Sequence, residues 1–240
     1  MKRLMLDKFI ENQDRISARN HRRIDEYDTW AQPQNEVASL LASSCESDSL
    51  KGRVLDAGCG TGLLTRHLLH RSVGLDICGL DLSNEALKAY GRINQSIMAG
   101  NLEQIPFEDD SFYYSLSSFA LHWTQLSKSL PELIRVTKAY LSIALPVYGG
   151  LKGFDFPFPE EKEVLSILES AGLRVIRAEI KKHVIPFQGP DFVRYFHYTG
   201  TDYHRGNEKG LRGKTAFETW EKLYRGGEFF RILYVHGELR

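Results

Sequence analysis

The sequence has little of what marks extracellular, membrane-spanning or nucleic-acid-binding proteins. Its three cysteines, Cys45, Cys59 and Cys78, lack the paired spacing of a disulfide framework. The 31 Lys and Arg residues only balance 31 Asp and Glu residues, and no run approaches the roughly 20 apolar residues that span a bilayer. We therefore expect a cytoplasmic protein, without a targeting leader, that binds neither nucleic acid nor a membrane. The oligomeric state stays open, with a monomer as the default expectation.

Apolar segments of strand length alternate with segments of helical periodicity along most of the chain. Hydrophobic residues make up 42% of the 240, which suffices for one well-packed core. Strands that alternate with helices predict parallel pairing, because each helix carries the chain back across the sheet. We predict an α/β fold with a doubly wound, mostly parallel, seven-stranded sheet, N-terminal helices and a helical insertion before the last strand. The predicted strands are 53–57, 77–80, 96–99, 112–121, 140–145, 173–185 and 229–239.

Two regions depart from this alternation. Residues 1–50 are charged and have apolar positions at three- and four-residue intervals, which indicates two helices before the first strand. Residues 189–227 are rich in aromatic side chains, arginine and glycine, and a long insertion in a compact domain usually has a function. We predict a single domain, 1–240, with a helical cap (1–50), a core (51–188), an insertion or lid (189–227) and the last strand (228–240).

Three glycines, Gly58, Gly60 and Gly62, lie where the first strand turns into a helix. Glycine lacks a Cβ atom, so the backbone can approach a nucleotide-sized ligand, and amides at the start of the helix can donate hydrogen bonds to it. The spacing differs from the dinucleotide pattern G-x-G-x-x-G, whose third glycine position is Leu63 here, and no Gly-Lys-Ser/Thr of a phosphate loop follows. Asp81 ends the next strand, where a carboxylate can accept hydrogen bonds from both hydroxyls of a ribose.

The segments Val54–Gly62 and Gly79–Ser83 resemble motifs I and II of the class I S-adenosylmethionine-dependent methyltransferases. The resemblance implies S-adenosylmethionine as the cofactor, without a metal ion, and it places Asp56 near the methionine moiety. Gly100–Phe107 resembles the next motif, whose first two side chains flank the adenine, although Asn101 stands where many relatives have aspartate. The implied cofactor-binding residues are Asp56, Gly58, Gly60, Gly62, Asp81, Leu82, Asn101, Leu102 and Phe119.

Further similarities, in the same order along the chain, resemble the malonyl-acyl-carrier-protein O-methyltransferases of early biotin synthesis. This resemblance implies esterification of the free carboxylate of malonyl-acyl-carrier protein, so the expected substrate is a small or carrier-bound carboxylate. A carboxylate with a pKa of about 4 is ionised at neutral pH and attacks a sulfonium methyl group without a general base. The matching segments are Tyr27-Asp28 with Ala31 and Gln34, Phe119–Trp123, Phe192–Gly200 and Ile232–Glu238.

Three residues are candidates for contact with the methyl acceptor, and we predict Tyr27, His122 and Arg194 as the catalytic residues. Arg194, in the insertion, can bind the acceptor carboxylate through two hydrogen bonds, although a solvated surface arginine has the same sequence signature. Tyr27 can close over the methionine end of the cofactor, or it can be an ordinary core aromatic. His122 follows the fourth strand and is either a general base or a packing residue.

An acidic carrier protein requires a basic docking surface. The basic residues that could form it are equally typical of an ordinary solvated face. Two other functions also stay open. Methylation of another small acid or of a quinone precursor uses the same motifs. A non-catalytic S-adenosylmethionine-binding protein is the third hypothesis, which Asn101, Tyr113 in place of an aspartate, and a short turn between Val136 and Leu141 favour. The candidate docking residues are Lys181, Lys182, Arg205, Lys209, Arg212 and Lys214.

Overall fold

The computed structural model describes residues 24–45, 50–72, 74–151, 156–199 and 226–239. Within these ranges all strands belong to one seven-stranded sheet. The strands are β1 (Arg53–Ala57), β2 (Asp76–Asp81), β3 (Ile97–Ala99), β4 (Phe112–Ser118), β5 (Thr137–Val147), β6 (Arg174–Val184) and β7 (Phe229–Glu238). Their spatial order is β3-β2-β1-β4-β5-β7-β6.

Helices precede the sheet and connect its strands. Gly62 begins the helix after β1, and the Ser83 hydroxyl caps the helix after β2 by accepting from the Ala86 amide at 3.2 Å. Within the described ranges, no helix is long and apolar enough to cross a membrane. The helices are α1 (Ile24–Trp30), α2 (Gln32–Ser44), α3 (Leu63–Arg71), α4 (Asn84–Tyr90), α5 (Leu126–Arg135), α6 (Glu161–Ser170) and α7 (Gly189–Tyr198), with a 3₁₀ turn at Leu121–Trp123.

The five strands from β3 to β5 are parallel, whereas β7 runs antiparallel to both of its neighbours. The strand order reverses between β1 and β4, because β2 and β3 lie on one side of β1 and the later strands lie on the other. At such a reversal the connections leave the carboxyl ends of the two strands in opposite directions and open a crevice. The fold therefore places a ligand site at the ends of β1 and β4.

Both faces of the sheet are covered, as parallel strands with continuous apolar runs require. On one face, Leu41 of α2, Leu68 of α3 and Phe196 of α7 pack in one buried cluster. On the other face, Leu130 of α5 and Leu168 of α6 pack in a second cluster. The helix α7 therefore shares a layer with the N-terminal helices, which brings the predicted cap and the predicted insertion together.

The predicted fold class is confirmed, with differences in the length of individual elements. The strand predicted at 140–145 extends over Thr137–Val147, because the antiparallel β7 pairs with it from Tyr140 to Val147. The turn predicted between Val136 and Leu141 is replaced by strand from Thr137 onward, so only Val136 separates α5 from β5. The predicted insertion begins with α7, whereas residues 200–225 lie outside the described residues. The division of the domain into a cap, a core and a lid stays a prediction.

Candidate cofactor site

A cavity of about 250 Å³ opens at the carboxyl ends of β1, β2 and β4. The glycine loop between β1 and α3 forms its floor, and the helices α1 and α2 contribute side chains from the N-terminal side. The predicted cofactor-binding residues that line it are Asp56, Gly58, Gly60, Asp81, Leu82, Asn101, Leu102 and Phe119. Residues separated by up to 63 positions in sequence therefore meet in one cavity, as the crevice of the doubly wound sheet requires.

The glycine loop has three left-handed backbone positions, each with a different packing environment. A Cβ atom at Gly58 would lie 2.3 Å from the Cβ of Ala120, so the loop touches the segment after β4. At Gly60 the added atom would meet no protein atom within 4 Å, which leaves the backbone open to the cavity. Gly62 does not line the cavity, and its Cβ would clash with Ile93 Cδ1 at 2.8 Å. The predicted contact between Gly62 and the cofactor is therefore replaced by a packing requirement between α3 and the residues around α4.

Asp81 is held at the cavity by two backbone amides. Its Oδ2 accepts from the Gly60 amide at 2.9 Å, and its Oδ1 accepts from the Ser83 amide at 2.8 Å. The carboxylate thereby joins the glycine loop to the start of α4. Each oxygen keeps a further acceptor site, so two vicinal hydroxyls can be bound without breaking these contacts. Desolvation raises the pKa of Asp81, and the amides act in the opposite direction.

Asp56 is almost fully buried at the end of β1, with 1% of its surface exposed. The Thr65 hydroxyl donates to its Oδ2 at 2.7 Å, and the Tyr90 hydroxyl lies 2.8 Å from the Thr65 oxygen. Because Thr65 gives its proton to Asp56, Tyr90 is the donor in the second contact. Burial raises the pKa of Asp56 to about 7, the negative charge of Asp81 adds to the rise, and the Thr65 hydrogen bonds oppose it.

The charge of the cavity fits a cationic ligand. Its described lining contains the carboxyl groups of Asp56 and Asp81 and includes no lysine, arginine or histidine. S-adenosylmethionine carries a sulfonium and an ammonium group against one carboxylate, so it fits this negative site better than an anionic nucleotide does. In the part of the chain that the structure describes, no group of His, Cys, Asp and Glu side chains is arranged to hold a metal ion.

Leu82, Asn101 and Leu102 line the cavity, and the motif at Gly100–Phe107 implies that its first side chains flank the adenine. Leu82 is 48% exposed, and an apolar side chain at this level of exposure is available to cover a flat ring. The Asn101 Oδ1 atom accepts from the Glu103 amide at 2.9 Å. Its side-chain amide thereby stabilises the turn after β3, and its nitrogen can still donate or orient a ligand. Asn101 can therefore take the place of the aspartate that many relatives have at this position of the cavity.

Gln34 and Thr199 are among the lining residues that the predicted site does not include. Gln34, on α2, is 4% exposed, and its Oε1 accepts from the Tyr195 hydroxyl at 3.2 Å. Thr199 follows α7 and donates to the Tyr195 carbonyl at 2.8 Å. A buried glutamine within a helix is unusual and indicates a binding site. Gln34 also belongs to the N-terminal segment that resembles the malonyl-acyl-carrier-protein O-methyltransferases. Thr199 had no such signal in the sequence.

Tyr27 of α1 lines the cavity as predicted, next to Ile24. Burial raises the pKa of its hydroxyl above the usual range, and the charges of Asp28 and Asp81 raise it further. The hydroxyl is therefore protonated at physiological pH. Tyr27 can donate a hydrogen bond to a ligand, but it is not a base.

His122 lies behind the cavity wall rather than in its lining. Its ring packs in a cluster of aromatic side chains, with ring centroids 5.3 Å from Phe119, 5.6 Å from Phe156 and 5.9 Å from Phe158. Neither ring nitrogen has a hydrogen-bond partner among the described residues, and burial lowers its pKa to about 3. The ring is therefore neutral. Phe119, by contrast, has a left-handed backbone, with φ of 57°, that turns the chain sharply beside Gly58.

Arg194 is not brought to the cavity. Its side chain is 59% exposed, and its Nη1 forms an ion pair with Asp191 Oδ1 at 2.7 Å, one turn earlier on α7. The buried face of α7 consists of apolar and aromatic residues, and Arg194 projects from the opposite face. The geometry thus does not support the predicted contact with the acceptor carboxylate. Of the predicted docking residues, Lys181 and Lys182 lie on the edge strand β6, and Arg205, Lys209, Arg212 and Lys214 lie outside the described residues.

The chain is similar to known methyltransferases in sequence and in fold. Residues 55–140 match a family model described as a methyltransferase domain. The fold is similar to a methyltransferase of Thermotoga maritima, with a TM-score of 0.59 and 15% identity, covering 94% of this chain and 100% of that one. It is also similar to geranyl diphosphate C-methyltransferase of Streptomyces coelicolor, with a TM-score of 0.56 and 17% identity, covering 85% and 77%. At these identities the solved structures establish the fold alone.

The fold, the glycine loop and the match over residues 55–140 together show a methyltransferase domain that uses S-adenosylmethionine as its cofactor. In sequence the chain is similar to malonyl-[acyl-carrier protein] O-methyltransferases. One from Herminiimonas arsenicoxydans is 30% identical over 177 residues, or 66% of each chain, and one from Hamiltonella defensa is 28% identical over 234 residues, or 90% of each. The chain spans from 45% to 66% of the length of the first curated relatives that it matches.

We expect the affinity for S-adenosylmethionine to rise with pH through the titration of Asp56. Its pKa of about 7 without ligand means that binding a cationic group below pH 7 requires release of a proton. The dissociation constant at about pH 6 should be roughly tenfold larger than its high-pH limit, because about a tenth of the carboxyl groups are ionised there. Titration calorimetry across this range measures the effect. An Asp56→Asn variant should bind S-adenosylmethionine weakly at every pH. If its dissociation constant changed with pH as that of the parent does, the titrating group would not be Asp56.

Proposed function

We propose that the chain transfers a methyl group from S-adenosylmethionine to a carboxylate, and that malonyl-acyl-carrier protein is the acceptor. The observation that carries the proposal is that the described lining offers no base for the acceptor once the carboxyl groups of Asp56 and Asp81 are assigned to the cofactor. Tyr27 is held protonated, burial keeps the Cys59 thiol protonated, and His122 lies behind the wall. An acceptor that is already ionised suits this cavity, whereas a phenol or an alcohol needs a base.

The chain's own residues supply binding and orientation. Asp81 holds the ribose hydroxyls, Asp56 attracts the positive charge of the methionine end, and the Gly60 backbone leaves the floor open. The cofactor supplies an electrophilic methyl group on a sulfonium sulfur. An ionised carboxylate of the acceptor would take this methyl group, the electron pair of the broken bond would stay on sulfur, and no residue of the chain would need to transfer a proton.

Neutral donors orient the acceptor in this proposal. Tyr27 and Gln34 line the cavity, and the Tyr27 hydroxyl and the Gln34 side-chain nitrogen can donate hydrogen bonds without a positive charge. A positive side chain beside the sulfonium would repel the cofactor. Neutral hydrogen-bond donors can therefore bind the anionic methyl acceptor without repelling the cationic cofactor. The loss of charge on both reactants during transfer favours a closed site with little water, which the helices α1 and α7 help to form. We propose the insertion, 189–227, as part of this closure.

The relatives' names support the specific acceptor, since both curated proteins act on a malonyl group carried by a protein. An acidic carrier would approach a basic surface, and Lys182 on β6 is a candidate, with its Nζ 4.1 Å above the ring of Phe229. Lys181 is already engaged, because its Nζ lies 3.1 Å from Glu179 Oε1.

Methyl transfer to two matched acceptors tests the proposal. We expect the purified protein to form a methyl ester on malonyl-acyl-carrier protein, and not on acetyl-acyl-carrier protein, which lacks the free carboxylate. Mass spectrometry of the intact carrier measures the product. Rescue of a biotin-requiring strain that lacks its own malonyl methyltransferase is the expected result in cells.

The other two functions predict different results. If the protein binds S-adenosylmethionine and methylates another small acid or a quinone precursor but not the malonyl group, the class is right and the acceptor is wrong. If it binds S-adenosylmethionine and no acceptor is methylated, the protein is a non-catalytic binding protein.

A further inference from the structure

The helix α1 covers the cofactor cavity with one face. Ile24 and Tyr27, three residues apart and therefore on the same side of the helix, both line the cavity. At its other end, Trp30 stacks on Tyr198 of α7, with ring centroids 5.4 Å apart and planes at 7°. The helix α1, called the cover below, is thus anchored to α7 by aromatic packing. Its position over the cavity depends on the contacts that join it to the glycine loop.

Asp28 makes that connection. Its Oδ1 accepts from the Thr61 hydroxyl at 2.5 Å, and its Oδ2 lies 2.7 Å from Nη2 of Arg66. The same Arg66 nitrogen donates to the Thr61 carbonyl at 3.2 Å, so the three residues close a ring of contacts. Thr61 stands between Gly60 and Gly62, lines the cavity and is 3% exposed. A carboxylate of the cover is therefore fixed directly on the glycine loop.

We propose that Asp28 is a positioning residue that keeps α1 closed over the bound cofactor by its contacts with Thr61 and Arg66. The neighbouring Tyr27 is held over the methyl-transfer region by the same contacts. The cofactor and this connection stabilise each other, because both require the glycine loop and α1 to be in their closed arrangement.

The exposure of the ion pair suits a cover that must also open. About a third of each side chain is accessible, 36% for Asp28 and 38% for Arg66, so water competes for both groups. Exposed ion pairs contribute little by themselves, and the hydrogen bond from Thr61 to the charged oxygen adds to this one. The connection is therefore strong enough to bias the closed arrangement and weak enough to let the cofactor exchange.

Binding of S-adenosylmethionine to Asp28→Asn tests the proposal without any methyl acceptor. We expect the dissociation constant to rise about three- to tenfold, mainly through faster dissociation, with little change in the melting temperature without ligand. Asp191→Asn is the matched control, since it removes an exposed acidic partner of an arginine on α7 that does not contact the loop. Arg66→Gln removes the ion pair from the other side and keeps the hydrogen bond from Thr61 to Asp28, and the double variant should bind no more weakly than the more affected single variant.

Hydrogen exchange separates a positioning role from a general loss of stability. In the parent protein, cofactor should slow exchange of the α1 amides, and in Asp28→Asn this protection should be reduced while that of the core strand β1 is unchanged. A dissociation constant within twofold of the parent in both Asp28→Asn and Arg66→Gln would overturn the proposal. An equal weakening in Asp191→Asn, or equal loss of protection in β1, would also overturn it. The result does not depend on the identity of the methyl acceptor.

Discussion

Replacement of Asp81 by alanine should weaken S-adenosylmethionine binding by at least about 100-fold, which corresponds to two lost hydrogen bonds to a charged group at about 1.5 kcal/mol each. The carboxylate also holds the Gly60 amide at 2.9 Å, so its removal leaves the floor of the cavity without one of its supports. Titration calorimetry measures the loss. Asp81→Asn keeps the size and one acceptor oxygen, and it should fall between the parent and the alanine variant.

Asp76→Ala is the matched control, because Asp76 begins the strand that Asp81 ends. Its side chain is 65% exposed and lies 3.9 Å from Arg53, far from the cavity lining. We expect cofactor binding in this variant to equal that of the parent. Equal affinity in Asp81→Ala and the parent would contradict the assignment of Asp81 to the ribose.

Gly58→Ala should lower the free energy of unfolding by about 2–5 kcal/mol. A left-handed alanine costs about 1–2 kcal/mol, and overpacking adds about 1–3 kcal/mol. The overpacking arises because the new methyl group would lie 2.3 Å from the Cβ of Ala120, and both atoms belong to the backbone-anchored part of their residues. Denaturant titration of the protein without cofactor measures the change.

Gly74→Ala isolates the backbone contribution, since Gly74 has a φ of +83° and its Cβ would meet no atom within 4 Å. It should cost only about 1–2 kcal/mol. Adding Ala120→Gly to Gly58→Ala removes the close contact. The loss of unfolding free energy should then fall to that of Gly74→Ala. If Gly58→Ala were no more destabilising than Gly74→Ala, the loop and the segment after β4 would not be in contact.

The cofactor side of the site could be predicted because its residues depend on local geometry. The G-x-G-x-G spacing after an apolar strand and the acidic end of the next strand place Gly58, Gly60 and Asp81 at adjacent carboxyl ends once the strands are parallel. Short-range spacing and one topological rule are sufficient for this. Gly62 does not line the cavity, and its left-handed backbone is explained by packing against Ile93, which only the neighbouring residues reveal.

The acceptor side could not be predicted in the same way. Arg194 lies on a helix with apolar and polar faces, and whether its face meets the cavity depends on how α7 rotates against the sheet. His122 follows β4 as predicted, but the aromatic rings around it come from residues up to 36 positions later. Side chains whose orientation is determined by distant packing carry no local signal.

The sequence by itself therefore determined the α/β fold, the cofactor class and the position of the glycine loop between β1 and α3, because strand and helix periods and glycine spacing are properties of neighbouring residues. Only the tertiary structure decided that Gln34 and Thr199 line the cavity and that Arg194 faces away from it. It also decided that Asp28 joins the cover to the glycine loop. These contacts join residues 33 or more positions apart, or they depend on how α7 packs. Both exist only after the helices have packed on the sheet.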